Sequence, residues 1–146
     1  MNLQEYLNNA VKVDRMKRFG QSSQLCLGEL ILKLKSMPPD SDVILDFDNT
    51  IPYTIDSWRG SYDEIAICYT HVGDSYAPKP WVAQQFCRIL IDAIGNTFTG
   101  YKGGTYIMDK TTPVWVANYG ESGNRGVSGV RLEDNKVIIE TDEYEF

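Results

Sequence analysis

Residues 127–141 read Val-Ser-Gly-Val-Arg-Leu-Glu-Asp-Asn-Lys-Val-Ile-Ile-Glu-Thr, which is the pattern of a β-hairpin. Two segments rich in β-branched residues flank a polar turn. The Asp134-Asn135 pair tolerates the positive φ angles that a tight hairpin turn requires. We therefore predict strands at Val127–Leu132 and Lys136–Thr141, joined by Glu133, Asp134 and Asn135.

Further strand patterns precede this hairpin. Val43–Phe47 is an apolar segment followed by Asp48-Asn49, a pair with good turn chemistry. We expect Ile51–Ile55 to return beside it as a second hairpin, interrupted at Pro52, which cannot donate a ladder hydrogen bond. The remaining predicted strands are Glu64–Thr70, Thr105–Met108 and Pro113–Ala117.

Two segments have helical periodicity. Apolar residues recur at intervals of three and four over residues 27–35 and again over residues 81–94. Pro38 ends the first helix, because proline disfavours α geometry in the residue before it. Gly95 stands at the expected end of the second. Residues 2–19 show a weaker, more polar version of the same spacing.

The order of these elements indicates an α+β fold. Strands cluster after each helix instead of alternating with helices one to one. This order favours two main helices packed on one face of a mostly antiparallel sheet, with an extra N-terminal helix or arm. We assign residues 1–20 to that helix or arm and residues 21–146 to a single α+β domain.

Composition narrows the classes of partner. The chain has 20 acidic and 14 basic residues, and its net charge is −6. This balance disfavours broad electrostatic attachment to nucleic acid or to an anionic membrane. The sequence shows neither a signal peptide nor an apolar run approaching 18 residues. We therefore expect a cytoplasmic protein without a membrane partner.

The three cysteines, Cys26, Cys68 and Cys87, are predicted to be buried free thiols. Their number is odd, no CxxC occurs, and each lies in an apolar run. The single histidine, His71, would point to the opposite face of a strand from Cys68, which argues against a catalytic dyad. We expect no metal site and no cofactor.

Three loops combine glycine with a cation and an aromatic residue: Ser57–Tyr62, Phe98–Gly104 and Asn118–Gly126. Glycine lets another molecule approach the main chain closely, arginine and lysine bind anions, and aromatic rings stack on flat groups. The alternative interpretation is a core tryptophan beside an arginine paired with Asp56 or Asp63. The predicted ligand-binding residues are Trp58, Arg59, Tyr62, Tyr101, Lys102, Asn118 and Arg125.

The segment Asp46-Phe47-Asp48-Asn49-Thr50 follows an apolar strand and resembles the first motif of the haloacid-dehalogenase-like phosphotransferases. The resemblance implies Asp46 as the nucleophile, Asp48 as the general acid, and Mg2+ between phosphate and carboxylates. That family also needs a parallel Rossmann-like sheet. Here the segments after Thr50 read as hairpins instead, so an enzyme is the less favoured class.

A broader resemblance runs from Trp58-Arg59-Gly60, through residues 98–104 and 112–120, to residues 137–141. Over residues 22–146 the chain is similar to small uncharacterised proteins encoded by tailed bacteriophages. The resemblance implies an accessory protein acting in the host cytoplasm and supplies no catalytic residues.

These features lead to a hypothesis of binding. We predict a counter-defence protein that sequesters a small anionic host molecule, such as a signalling nucleotide, in a pocket often shared between subunits of a homo-oligomer. Arg59, Lys102 and Arg125 would neutralise phosphates, and Trp58, Tyr62 and Tyr101 would stack on the base. The alternatives are a protein–protein inhibitor that uses the acidic hairpin residues Glu140, Asp142 and Glu143, and the Mg2+-dependent phosphatase.

Overall fold

Strands predominate in the fold. The computed structural model describes residues 10–11, 23–73, 79–100, 102–118 and 123–144. The helices that fall wholly within these ranges are α1 (Leu27–Lys35) and α2 (Ala83–Ala93). The strands are β1 (Asp42–Leu45), β2 (Thr50–Trp58), β3 (Ser61–His71), β4 (Thr97–Thr99), β5 (Thr105–Ile107), β6 (Val114–Val116), β7 (Arg125–Glu133) and β8 (Lys136–Glu143).

Six of the strands form one mixed sheet. Their order is β1-β8-β7-β6-β3-β2, and β4 and β5 form a separate two-stranded ribbon. The pairs β1–β8 and β3–β6 are parallel, and the other three are antiparallel. Strands β1 and β2, at the two ends of this order, also contact each other. The sheet is therefore nearly closed and barrel-like.

The predicted arrangement of two main helices on one face of a mostly antiparallel sheet is wrong. Strands account for 48% of the structure, and the two helices have only 9 and 11 residues. Periodicity identifies each element from its own residues, but it carries no information on which strands pair. The parallel pairs join segments far apart in sequence, and this pairing curls the sheet towards closure.

Both helices form where their apolar spacing predicts them. The inward stripe of α1 consists of Leu27, Leu30, Ile31 and Leu34, all of them buried. Helix α2 begins at Ala83, slightly later than predicted, because Val82 takes part in a β-bridge to Asp42. At the other end, Ile94 leaves the helix and forms a β-bridge to Met108, so strand-like pairing shortens α2 at both ends.

The C-terminal hairpin also forms as predicted, whereas the one expected after β1 does not. Asp134 and Asn135 have φ angles of 52° and 62° in the turn between β7 and β8. Asp48 and Asn49 reverse the chain with similar angles of 51° and 53°. However, β2 forms its ladder with β3 instead of β1. Good turn residues thus predict a reversal without predicting the hydrogen-bonded partner.

The sheet is covered on both faces around β3 and β6. Ile65 and Ile67 belong to the main core, which also contains the buried faces of the two helices. Ala66 lies between them in sequence and joins Trp58, Trp115 and Ala117 in a second cluster. Because successive strand residues point to opposite faces, this second cluster lies on the reverse side of the sheet.

The cysteine prediction is confirmed. Cys26, Cys68 and Cys87 are buried and free of disulfides. Cys68 in β3 is buried, whereas His71 at the end of the same strand is exposed.

Most of the predicted N-terminal helix or arm lies outside the described residues. Of residues 1–20, the structure describes only Ala10 and Val11. Val11 is buried, and its side chain approaches Gly28 in α1. This contact joins one residue of the predicted arm to the core domain.

Candidate functional site

Two of the glycine loops meet near the start of β3. Arg59 lies in the turn between β2 and β3, and Tyr62 follows it in β3. The Tyr62 ring centroid lies 5.9 Å from that of Tyr106, and its side chain borders Gly100. Exposed Lys102 belongs to the same glycine loop. The structure therefore brings the loops of Arg59 and Lys102 towards each other.

Arg125 lies elsewhere. Its guanidinium carbon is 4.6 Å from the ring centroid of Phe47, and it lines a cavity together with Tyr69. Tyr62 and Tyr69 lie near opposite ends of β3, which at about 3.3 Å per residue places them on the order of 20 Å apart. The three cations expected to share one hollow are thus divided between the two ends of this strand.

Trp58 is a core residue. Its side chain is 1% exposed, and its ring stacks on Trp115 at a centroid distance of 3.9 Å. Its indole Nε1 donates a hydrogen bond to the carbonyl of Gly123 at 3.2 Å. The covered ring matches the alternative interpretation of a core tryptophan. Tyr101, the other ring predicted to stack beside Tyr62, lies outside the described residues.

A polar cavity lies beside Arg125. It has a volume of about 210 Å³, and we call it the Arg125 cavity. Strands β1, β3, β6 and β8 run in one direction, as their pairings require, so their carboxyl ends lie at one edge of the sheet. The cavity lies at this edge and is lined by Phe47, Tyr69, Val116, Ala117, Gly123, Asn124, Arg125 and Glu143.

Two aromatic rings form one wall of the cavity. Phe47 and Tyr69 meet edge to face, with centroids 5.1 Å apart and an interplanar angle of 84°. Asn118 stands behind this wall, where its Oδ1 accepts a hydrogen bond of 3.1 Å from the main-chain N–H of Tyr69. Asn118 therefore holds the end of β3 in place and is not a lining residue of the cavity.

A hydrogen-bond chain orients Arg125. Its Nη1 donates to Thr141 Oγ1 at 2.9 Å, and this hydroxyl donates to Asp46 Oδ1 at 2.6 Å. The main-chain N–H of Thr141 donates to Asp46 Oδ2 at 2.8 Å. A guanidinium carries five N–H donors in a rigid fork. Thr141 thus fixes the fork through one of them, while Phe47 supports its flat face.

The same chain gives Asp46 a structural role. Both of its carboxylate oxygens accept hydrogen bonds from Thr141, so they join the loop after β1 to β8. Asp48 lies in the left-handed turn that follows. Across the residues that the structure describes, no three His, Cys, Asp or Glu side chains are grouped to hold a metal ion. The similarity to phosphotransferases is therefore limited to the local sequence, because the surrounding sheet is not the parallel Rossmann-like one.

We expect Asp46→Asn to lower the free energy of unfolding by about 1–2 kcal/mol, because the neutral amide has one acceptor oxygen where the carboxylate accepts two charge-assisted hydrogen bonds from Thr141. Urea unfolding measures this change. Asp48→Asn is the matched control, since asparagine tolerates the left-handed conformation equally well. Equal stabilities of the two variants would contradict the structural role of the hydrogen bonds between Asp46 and Thr141.

The acidic hairpin residues are not equivalent. Glu140 accepts a hydrogen bond of 3.3 Å from Arg131, which also contacts Glu133. These carboxylates raise the pKa of the Arg131 guanidinium. Glu143 lines the Arg125 cavity, and Asp142 is exposed. The negative surface expected for a protein–protein inhibitor is therefore partly neutralised.

The predicted ligand-binding residues do not include four residues of the site, namely Phe47, Tyr69, Thr141 and Glu143; of these, Glu143 is named only for the inhibitor alternative. Each lies within two residues of the carboxyl end of a strand. Their positions indicate a shared site only when the directions of the strands are known. Those directions depend on the pairing of β1 with β8 and of β3 with β6.

Comparisons with known proteins add no identification. Within the described ranges, neither helix is long and apolar enough to cross a membrane. The chain matches no protein-family model, no curated protein and no solved structure in these comparisons.

Proposed function

We propose that this chain is a binding protein that retains a small anionic molecule of the nucleotide class. The observation that supports this proposal is the placement of Arg125. Its guanidinium is supported by the Phe47 ring and oriented by Thr141 at the wall of a cavity that Tyr69 also lines. The rigid fork of an arginine is suited to phosphate oxygens, and an adjacent aromatic wall is suited to a flat ring.

The Arg125 cavity also favours a ligand that carries both charge and hydrogen-bond donors. Glu143 lines the cavity together with Arg125, so a purely anionic ligand would be repelled by its carboxylate. A nucleotide offers phosphate oxygens to Arg125 and an exocyclic amine to Glu143. The volume of about 210 Å³ accommodates one such group, and the rest of the ligand would extend beyond the cavity.

The cellular role that we propose rests on the resemblance to bacteriophage accessory proteins. In this proposal the protein acts in the host cytoplasm and withdraws a signalling nucleotide from a defence pathway. Sequestration requires retention without turnover, and the structural use of Asp46 fits a binder better than a phosphatase. Binding in the Arg125 cavity does not require Arg59 and Lys102, which lie near the other end of β3.

Arg125→Ala tests the proposal, with Arg131→Ala as the matched control on the same strand. Losing hydrogen bonds to a charged group costs about 1.5–3 kcal/mol, so we expect roughly tenfold to hundredfold weaker binding for Arg125→Ala. Titration calorimetry with adenosine monophosphate and with a cyclic dinucleotide measures the affinity. Native mass spectrometry of protein from infected cells then identifies any retained molecule.

Arg125→Lys tests whether the geometry of the guanidinium, and not only its charge, contributes to ligand affinity. Lysine keeps the positive charge but lacks the two-pronged geometry, so we expect an intermediate affinity. Equal affinities of the Arg125→Ala and Arg131→Ala proteins would contradict the assignment of this cavity. No binding of either nucleotide, together with no retained anion, would contradict the function itself.

A further inference from the structure

A second cavity lies between the helices, away from the carboxyl edge of the sheet. It is a groove of about 730 Å³ lined by the later part of α1, the segment after it, and α2. Its apolar lining residues include Leu34, Met37, Trp81 and Ile91. Its volume falls in the range of about 300–1,000 Å³ that is typical of small-molecule sites. We call it the interhelical groove.

The charged residues of the interhelical groove have one sign. Lys35 and Arg88 line it, and none of its described lining residues is acidic. The Arg88 guanidinium already lies 3.3 Å from the carboxylate of Asp92, one turn further along α2. Lys35 is therefore the better-placed cation for an anionic group that enters from solvent.

The position of Lys35 relative to Cys87 supports this assignment. Burial raises the pKa of the Cys87 thiol, and the positive charge of Lys35 acts in the opposite direction. The Cys87 side chain is only 7% exposed and also lines the groove. The ammonium group thus lies close enough to influence an atom in the wall of the groove.

We propose that the interhelical groove binds a single-chain amphiphile with a carboxylate head group, that is, a molecule of the fatty-acid class. The acyl chain lies along Leu34, Met37, Trp81 and Ile91, and the carboxylate pairs with Lys35. A helix of the length of α2 extends for about 16 Å at 1.5 Å per residue, which suits an extended chain of medium length. This site is separate from the Arg125 cavity.

A series of straight-chain carboxylates tests the apolar part of the proposal. Each buried methylene strengthens binding about fourfold, so each step from hexanoate through octanoate and decanoate to dodecanoate should strengthen it about fifteenfold until the groove is filled. Titration calorimetry gives the affinities. Equal affinities across the series would overturn the proposal.

Trp81 provides a readout of location. Trp58 and Trp115 are enclosed in the second core cluster, so a fluorescence change on adding decanoate should arise from Trp81. The Trp81→Phe protein should bind decanoate in the calorimeter without this fluorescence change. A full fluorescence change in that variant would place the ligand elsewhere and overturn the proposal.

Lys35→Glu tests the recognition of the head group, and Lys33→Glu is the matched control. Both lysines are exposed residues of α1, but Lys33 does not line the groove. We expect at least tenfold weaker decanoate binding for Lys35→Glu alone, and no effect of either change on decanol. Equal affinities of the two variants for decanoate would overturn the pairing with Lys35. Arg125→Ala should leave decanoate binding unchanged, which separates this test from that of the proposed function.

Discussion

Trp58→Ala should lower the free energy of unfolding by about 3–5 kcal/mol, because it removes a large buried ring and leaves a cavity. The ring is 1% exposed, stacks on Trp115 and donates a hydrogen bond to Gly123. Urea unfolding followed by circular dichroism measures the change. If the alanine variant does not fold, Trp58→Phe should retain part of the packing and give a measurable, smaller loss.

Tyr53→Ala is the control for this prediction. Tyr53 is another aromatic residue of β2, but it is 40% exposed. We expect its removal to change stability much less, since Tyr53 is 40% exposed and Trp58 only 1%. Similar losses from Tyr53→Ala and Trp58→Ala would contradict the assignment of Trp58 to the core.

Gly60→Ala should destabilise the protein by about 2–3 kcal/mol through overpacking. A Cβ atom at this position would lie 2.6 Å from Cζ3 of Trp58 and closer still to two neighbouring ring atoms. The ring cannot move away easily, because it is stacked on Trp115. Here glycine is needed for close approach to an aromatic ring, with no bound ligand involved.

Two further variants make this prediction specific. Gly123→Ala is the matched control, since a Cβ at Gly123 would meet no atom within 4 Å. We expect its effect to stay within about 0.5 kcal/mol. Trp58→Phe should relieve much of the penalty of Gly60→Ala, so the two changes should be non-additive in a double-mutant cycle. Additive losses of stability in this cycle would show that Gly60→Ala destabilises the protein for a reason other than contact with the Trp58 ring.

Local sequence patterns correctly predicted the helices and the last hairpin, because these elements depend on interactions between nearby residues. The stripe Leu27, Leu30, Ile31 and Leu34 specifies a helix because one face of that helix must be buried. Asp134 and Asn135 specify the last hairpin because their side chains tolerate positive φ. Neither inference requires knowledge of the rest of the chain.

Strand pairing and the candidate site depend on contacts between residues far apart in the sequence. Local patterns could not predict these contacts. Asp48 and Asn49 form a turn as good as the last one, yet the strand that follows pairs with β3 and not with β1. Arg125 was identified as an anion-binding residue from its glycine-rich loop. Its neighbours are Phe47, which follows β1, and Thr141, which lies in β8, and their proximity depends on the parallel pairing of these two strands.

The tryptophan-arginine-glycine segment shows why composition alone leaves the role of a residue open. An aromatic, a cation and a glycine together are compatible with a ligand pocket and with a tightly packed turn. The deciding fact is that Trp115 on β6 covers the Trp58 ring. The sequence separates these two residues widely, so no local signal distinguishes the two roles.

The pairing of β1 with β8 has a consequence for biosynthesis. Asp46 and Thr141, which join the ends of these strands, are 95 residues apart in the sequence. A ribosome that adds about 5–20 residues per second needs on the order of ten seconds to make the intervening chain. During that interval the apolar side chains of Val43 and Leu45 lack the neighbouring strand that will cover them. A nascent chain halted before β8 would therefore display an incomplete core, without Val137 and Ile139.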